Sequence, residues 1–317
     1  MVRQMQTISD WASDQRSSDE LVSLALAAPE LDDDDRWEAI RALHHRGGQT
    51  EFDLAAALTQ SAEVKARALG ADMLAQLGFY SAKFTFPVES VNILIELLND
   101  PAEEVIWSAA YALGHRKDER SIVPLCGLAD HKSEDVRYGI ACALGGFENE
   151  LAVSTLIRLS EDVDPDVRDW ATFGLGALLE LDTPKIREAL FARTTDEDGD
   201  TRGEALAGLA ARKDERAFEL IATELQRADV GTLIFEAAAK LADQRLLPYL
   251  NQQREGVDED THSFWLHTLD DAIGACSSSP SFEKSGCLSD VTNDPQPANA
   301  GGSIKPGVEA EPEPQVA

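Results

Sequence analysis

Three stretches decide the fold: VIWSAAYALG at 105–114, VRYGIACALG at 136–145 and VRDWATFGLG at 167–176. They align without a gap, each opening on Val, closing on Leu-Gly and carrying small or apolar residues between. TRGEALAGLA at 201–210 keeps the template with Ala210 in place of the closing Gly. LIFEAAAKLA (233–242) and WLHTLDDAIG (265–274) are weaker copies. The starting positions lie 31, 31, 34, 32 and 32 residues apart. Unrelated helices do not hold such a register, so the chain is a repeat array.

Working outward, the same grammar flanks each copy. An acidic stretch comes first: Asp100–Glu104, Glu134-Asp135, Asp164–Asp166, Asp196–Asp200. Asp is a good N-cap, and acids in a first turn match the positive end of the helix dipole. Each first helix is expected to be followed by a second, with larger aliphatics at helical spacing: Val91, Leu94, Ile95 and Leu98 ahead of the first copy, then Ile122, Leu125 and Leu128, then Val153, Leu156 and Ile157. Ile186 and Leu190, Phe218, Ile221 and Leu225, and Leu246, Leu247 and Leu250 continue the series. Pro124 and Pro248 fall early in such helices, where a missing N–H costs little. Upstream, 63–78 reads as another first helix, and 37–48 with 52–58 as a divergent leading pair. No segment alternates with period two. The expected architecture is all-α, a right-handed α-α superhelix of the armadillo-like kind. A helical lead-in is expected over 1–30, a solenoid of about seven to eight helix pairs over 31–275, and a disordered acidic tail over 276–317, where Ser, Gly and Pro replace large apolar groups.

Charge narrows the functional classes. The 317 residues hold 58 acidic and 28 basic side chains, a net −30. The tail from Cys276 carries six acids and two lysines, hence −4, which leaves −26 on the array. Such a surface opposes nucleic acid and anionic membranes, whose phosphates call for Lys and Arg in excess. Uncharged runs reach about eleven residues, too short to span a bilayer. The N-terminal residues lack an apolar core of the secretory kind, so no signal peptide is read. Four cysteines form no regular framework, and Cys126 and Cys142 sit inside apolar helical patterns. Reduced thiols in a cytoplasmic protein are expected. Cys276 and Cys287 fall in the expected tail, where nothing requires them to pair.

The recurring polar residues give candidate sites. Arg137, Arg168 and Arg202 hold one place in successive repeats, each with an acid two residues upstream, Asp135, Asp166 and Asp200. They read as a structural Asp–Arg ladder joining repeats, since Arg donates readily to carboxylates and helix-end carbonyls. A row of cations gripping an anion is the functional alternative. The second helices are expected to line the concave side of the solenoid, and Glu96, Arg158, Arg187 and Glu219 are the partner-binding candidates there. A mixed stripe inside an acidic whole suits a protein partner with a basic patch. The same acidity also fits a salt-adapted proteome. A monomer is the expected state.

Chemistry finds little support. Trp107, Tyr111, Tyr138, Trp170 and Phe173 fall at helical spacing and read as packing between repeats. Neither His44-His45 nor His262 with His267 has ligands at metal spacing. Asp32–Asp35 reads as a solvated helix start. There is no phosphate loop and no nucleophile elbow. No catalytic residue, metal or cofactor is expected.

These residues resemble HEAT repeats, with an Asp-x-x-Val-Arg start and an Ala-Leu-Gly end to the first helix, and above all the short phycobilin-lyase HEAT-like repeats. The likeness covers about residues 36–275. Ile106 and Ile234 replace the Arg in two copies. The resemblance implies a HEAT-repeat solenoid; the long curved surface of such a stack suits a non-enzymatic scaffold or adaptor that holds a protein on its concave face. It also admits a phycobilin-lyase-like alternative, in which a tetrapyrrole is attached or chaperoned. That alternative implies an aromatic-lined pocket, near Phe79–Phe86 or around Trp170, with a cation for the propionates. A deoxyhypusine hydroxylase would need His-Glu dipeptides, and none occurs. A HEAT-like DNA glycosylase would need a basic channel, which −26 opposes.

Overall fold

The computed structural model describes residues 14–29, 33–79, 84–255, 257 and 263–278. Residues 1–13 of the expected lead-in and the tail from 279 onward lie outside the described residues. Among the described residues there are sixteen α-helices and no strand. After α1 (Ser18–Ala27), the chain alternates first and second helices. The pairs are α2 (Asp34–Arg46) with α3 (Gln49–Leu58), α4 (Val64–Ala75) with α5 (Pro87–Leu97), α6 (Glu103–Arg116) with α7 (Ile122–Cys126), and α8 (Glu134–Leu144) with α9 (Glu150–Leu159). They continue with α10 (Pro165–Gly176) and α11 (Pro184–Arg193), α12 (Gly199–Ala211) and α13 (Ala217–Glu224), and α14 (Thr232–Leu241) and α15 (Leu247–Glu255). A last helix, α16 (Ser263–Ser278), closes the array.

Short side chains set the packing of the even-numbered row. From α4 to α16 each first helix lies directly against the next, while the second helices mostly cover their own partner. A Cβ built on Gly208 would stand 2.7 Å from the Gly176 Cα, so α10 and α12 touch backbone to backbone. The second helices supply the bulk: Leu94, Leu125, Leu156, Leu190, Ile221 and Leu250 are all buried and fill the space behind the Ala-rich helices.

Capping follows the acidic punctuation. Asp33 accepts from the Asp35 and Arg36 amides, Asp164 from those of Asp166 and Val167, and Asp198 from that of Thr201. The acids one turn on, including Asp135 and Asp166, remain exposed on the helix surface.

The arginine ladder joins different partners from those expected. Arg137 sends Nε and Nη2 to Asp162 at 2.7 and 2.8 Å, and Arg168 forks onto Asp196 at 3.0 and 2.9 Å. Arg67, at the same register, forks onto Asp100 at 2.7 and 2.8 Å. Each Nη1 turns back to the loop before its own helix: Arg137 reaches the His131 carbonyl and Arg168 the Asp162 carbonyl. One guanidinium thus ties its own entry loop to the entry loop of the next repeat. Arg202 keeps its loop bonds but reaches Glu224 only at 3.6 Å. Asp135, Asp166 and Asp200 are not the ladder acids. Two residues apart on a helix, side chains point about 200° apart, so an acid two residues before Arg cannot meet it.

A second correction concerns the end of the array. Cys276 is buried on α16, with its thiol against the Ala238 carbonyl at 3.5 Å. Helix α16 continues past Cys276 because Leu269, Ala272 and Cys276 form one apolar face on α14.

Candidate docking groove

The N-terminal halves of the early first helices enclose a cavity of about 710 Å³. Its apolar wall is Trp37 of α2, Trp107 of α6 and Tyr138 of α8. Trp107 and Tyr138 occupy the same register in consecutive repeats, so the stack sets one beyond the other along the row. Gly139 leaves room for the indole: a Cβ there would stand 3.0 Å from Trp107 Cδ1. Behind the wall, Trp107 stacks on Tyr111 at 5.3 Å, and Tyr138 meets Trp170 edge-on at 5.7 Å.

The rest of the lining is ionic. Asp72 lies at the inner end, Glu103 and Glu104 come from α6, Glu134 and Asp135 from α8, and Asp164 and Asp166 from the start of α10. Among the described lining residues there are seven carboxylates and one cation, Arg36, whose Nη2 is committed to Asp72 Oδ2 at 2.5 Å. Lys132 pairs with Glu103 at 2.9 Å from outside. The punctuation acids of three repeats therefore converge on one concavity, because equivalent first turns stack side by side. Asp135 and Asp166, released from the ladder, belong to this lining.

Burial perturbs the groups at the inner end. Desolvation raises the Asp72 carboxyl above its ordinary value against the pull of Arg36. Next to it, the imidazole of His44 is held down to about 4 by burial, and its Nε2 lies 2.8 Å from the Asp72 carbonyl. The acidic row continues beyond the cavity. Burial and the neighbouring Asp200 push Asp169 up to about 6, and burial with Asp169 pushes Glu204 up to about 7. Burial also pushes the Cys142 thiol up to about 12. Cys126, Cys142 and Cys276 are all unpaired. Among the described residues no group of three His, Cys, Asp or Glu side chains is placed to hold a metal ion.

The four residues expected to bind a partner lie elsewhere. Glu96, Arg158, Arg187 and Glu219 sit on α5, α9, α11 and α13, and none lines the cavity. Arg158 is paired with Asp130 at 3.0 Å. Arg187 is held by Asp182 at 2.6 Å and by Asp214 at 3.2 Å. Phe84 packs on Arg116 at 4.9 Å and Phe86 stacks on Phe52 at 4.4 Å, so these two rings serve packing, while Phe79 is exposed. Residues 80–83 lie outside the described residues.

Sequence reading missed Arg36, Asp72, Glu104 and Ser108 as lining, and missed a second set of buried cations. Arg116 donates to the Leu74 and Thr85 carbonyls, and Arg212 reaches the Leu175, Gly176, Leu179 and Leu181 carbonyls. These cations cap helix ends. The repeated tripeptide Arg-Lys-Asp, at 116–118 and 212–214, was the available signal.

Among the described residues no helix is long and apolar enough to cross a membrane. A family model described as HEAT repeats matches residues 51–145, 91–176 and 154–242, overlapping segments that take in more than half of the chain. Protein YibA of Escherichia coli (strain K12) is 33% identical over 92 residues, which is 29% of this chain and 32% of YibA. The chain thus spans about a third of the length of that curated relative. The X-ray structure of E. coli YibA aligns at 26% identity with a TM-score of 0.64, covering 88% of this chain and 100% of that one. The complex of CpcE and CpcF of phycocyanin lyase from Nostoc sp. PCC7120 aligns at 18% identity over 87% of this chain and 100% of that one, with a TM-score of 0.46 that carries no functional weight. Repeat register, paired helices and matched span agree, and the chain belongs to the HEAT-repeat family.

Proposed function

We propose that the protein is a non-enzymatic binding scaffold whose groove along the first helices holds a basic segment of a protein partner. The observation that carries this reading is the lining itself: seven carboxylates, one internally paired guanidinium and three aromatic rings around one concavity. Carboxylates steer a cationic segment and set its register, while aromatic faces accept cations and aliphatic stems alike. The second-helix row suits a partner less well, because Arg158 and Arg187 already spend their charge on neighbours. A tetrapyrrole fits the lining poorly, since its propionates would face the carboxylates with Arg36 already engaged.

The test is titration of a Lys- and Arg-rich peptide of about ten residues by calorimetry at low and high salt. Double reversal, Asp135→Lys with Asp166→Lys, is expected to weaken binding at least about tenfold at low salt, with the gap closing as salt rises. Reversal of Glu96 and Glu219 on the second-helix row is expected to leave affinity within about twofold. The opposite ranking would move the docking face to the second helices.

A further inference from the structure

The acids at the mouth of the groove recur at a fixed interval. Glu104, Asp135 and Asp166 each stand one residue before the opening Val of a copy, 31 residues apart, and all three line the cavity. Asp135 and Asp166 are exposed there. Packing fixes the interval in space. A Cβ on Gly114 would stand 2.8 Å from the Ala143 Cα, and one on Gly174 3.5 Å from the Gly145 Cα. Helices α6, α8 and α10 therefore meet backbone to backbone, which sets their axes roughly 8–10 Å apart. Trp107 and Tyr138 keep the same interval, each two residues after the Val of its copy.

A basic segment that offers one cation to each repeat must turn the same face to the groove once per interval. Polyproline II does so with three residues, because it has three per turn and rises about 3.1 Å with each, hence about 9 Å per turn. A β-strand repeats its face every second residue, at about 6.7 Å, and falls out of step. An α-helix comes round at every seventh residue, about 10.5 Å on. Such a rod is 10–12 Å across, however, and rides over helices set 8–10 Å apart without reaching the rings between them. Extended polyproline II segments dock well on aromatic-lined surfaces, and Trp37, Trp107 and Tyr138 supply one.

We propose that the groove reads spacing: it takes a polyproline II segment of the protein partner with a basic residue at every third position, one to each repeat. The assignment rests on the docking reading above and makes it specific. The carboxylates select positive charge, and the repeat interval selects where along the segment that charge must fall.

The experiment is low-salt calorimetry on the full chain with end-capped peptides of about sixteen residues, each carrying three lysines. The lysines are spaced by two, three, four or seven residues, with Pro and Ser between them in one series and Ala in the other. The Pro-Ser peptide with spacing three is expected to bind at least about fivefold tighter than those with spacing two or four, as misplacing two exposed ion pairs implies. Double-mutant cycles then locate the contacts. Asp135→Asn should couple, by about twofold to fivefold, to one lysine of that peptide, and Asp166→Asn to the lysine three residues away. Both acids are exposed, so neither change should alter the melt. Equal affinity at every spacing, or both variants coupling to the same lysine or to none, would overturn the register while leaving the basic groove intact. An Ala peptide with spacing seven that bound tighter than every Pro-Ser peptide would make the occupant a helix and overturn it too. Absence of binding by every lysine peptide would overturn the groove and the register together.

Discussion

Asp135 and Asp162 illustrate how much a single position decides. Both are aspartates beside the same arginine, one two residues before it and the other 25 residues after it. Helical geometry turns the near one away and stacking brings the far one to 2.7 Å. The recurrence of Arg was legible in the sequence. Its partner was not, because the second helix that carries Asp162 back is positioned only by tertiary packing. The two acids are therefore separable. Asp162→Asn should lower stability by about 1.5–3 kcal/mol, since the fork from Arg137 would lose its charge partner. Asp135→Asn should leave stability within about 0.5 kcal/mol and weaken basic-peptide binding instead. Urea denaturation and calorimetry on both variants check this crossed pattern, and loss of stability in Asp135→Asn would restore the near acid to the ladder.

At the scale of the element, alternation of an Ala- and Gly-rich helix with an aliphatic one was visible in the Ala-Leu-Gly strings and the i, i+3, i+4 spacing. What the pattern did not convey was where the last helix stops. Cys276 stands among serines that read as tail, yet its thiol is buried on α14. Composition changes before structure does, because a helix end needs only one more buried residue to extend by a turn. Glycines in these helices also differ in purpose, which a one-letter pattern cannot express. Gly208 faces the Gly176 Cα, whereas a Cβ on Gly274 in α16 would meet nothing within 4 Å. Gly208→Ala is expected to cost roughly 1–3 kcal/mol by forcing α10 and α12 apart. Gly274→Ala should stabilise by about 0.5–1 kcal/mol through lower unfolded-chain entropy and better helix propensity. Thermal melts of the two variants should therefore move in opposite directions, and a shared direction would mean that α10 and α12 do not meet at backbone distance.

For the whole molecule, net charge was readable and its placement was not. A total of −30 describes the whole chain and cannot say where acids converge. Stacking makes that decision. It superimposes the first turns of α6, α8 and α10, so acids that cap or precede helices in separate repeats become one lining, with Trp107 and Tyr138 in register beside them. Helical spacing makes the aromatic residues packing groups, as Tyr111 and Trp170 are behind the wall. The rings of Trp107 and Tyr138 face the cavity as well. The central claim is that a basic protein segment lies along the first helices, and amide hydrogen exchange with and without a saturating oligolysine peptide tests it most directly. The expected result is slowed exchange over 103–108, 134–138 and 164–168, with no change over 89–97, 151–158, 185–193 and 217–224. Protection confined to those second helices, or to neither row at a peptide concentration that saturates binding, would contradict it.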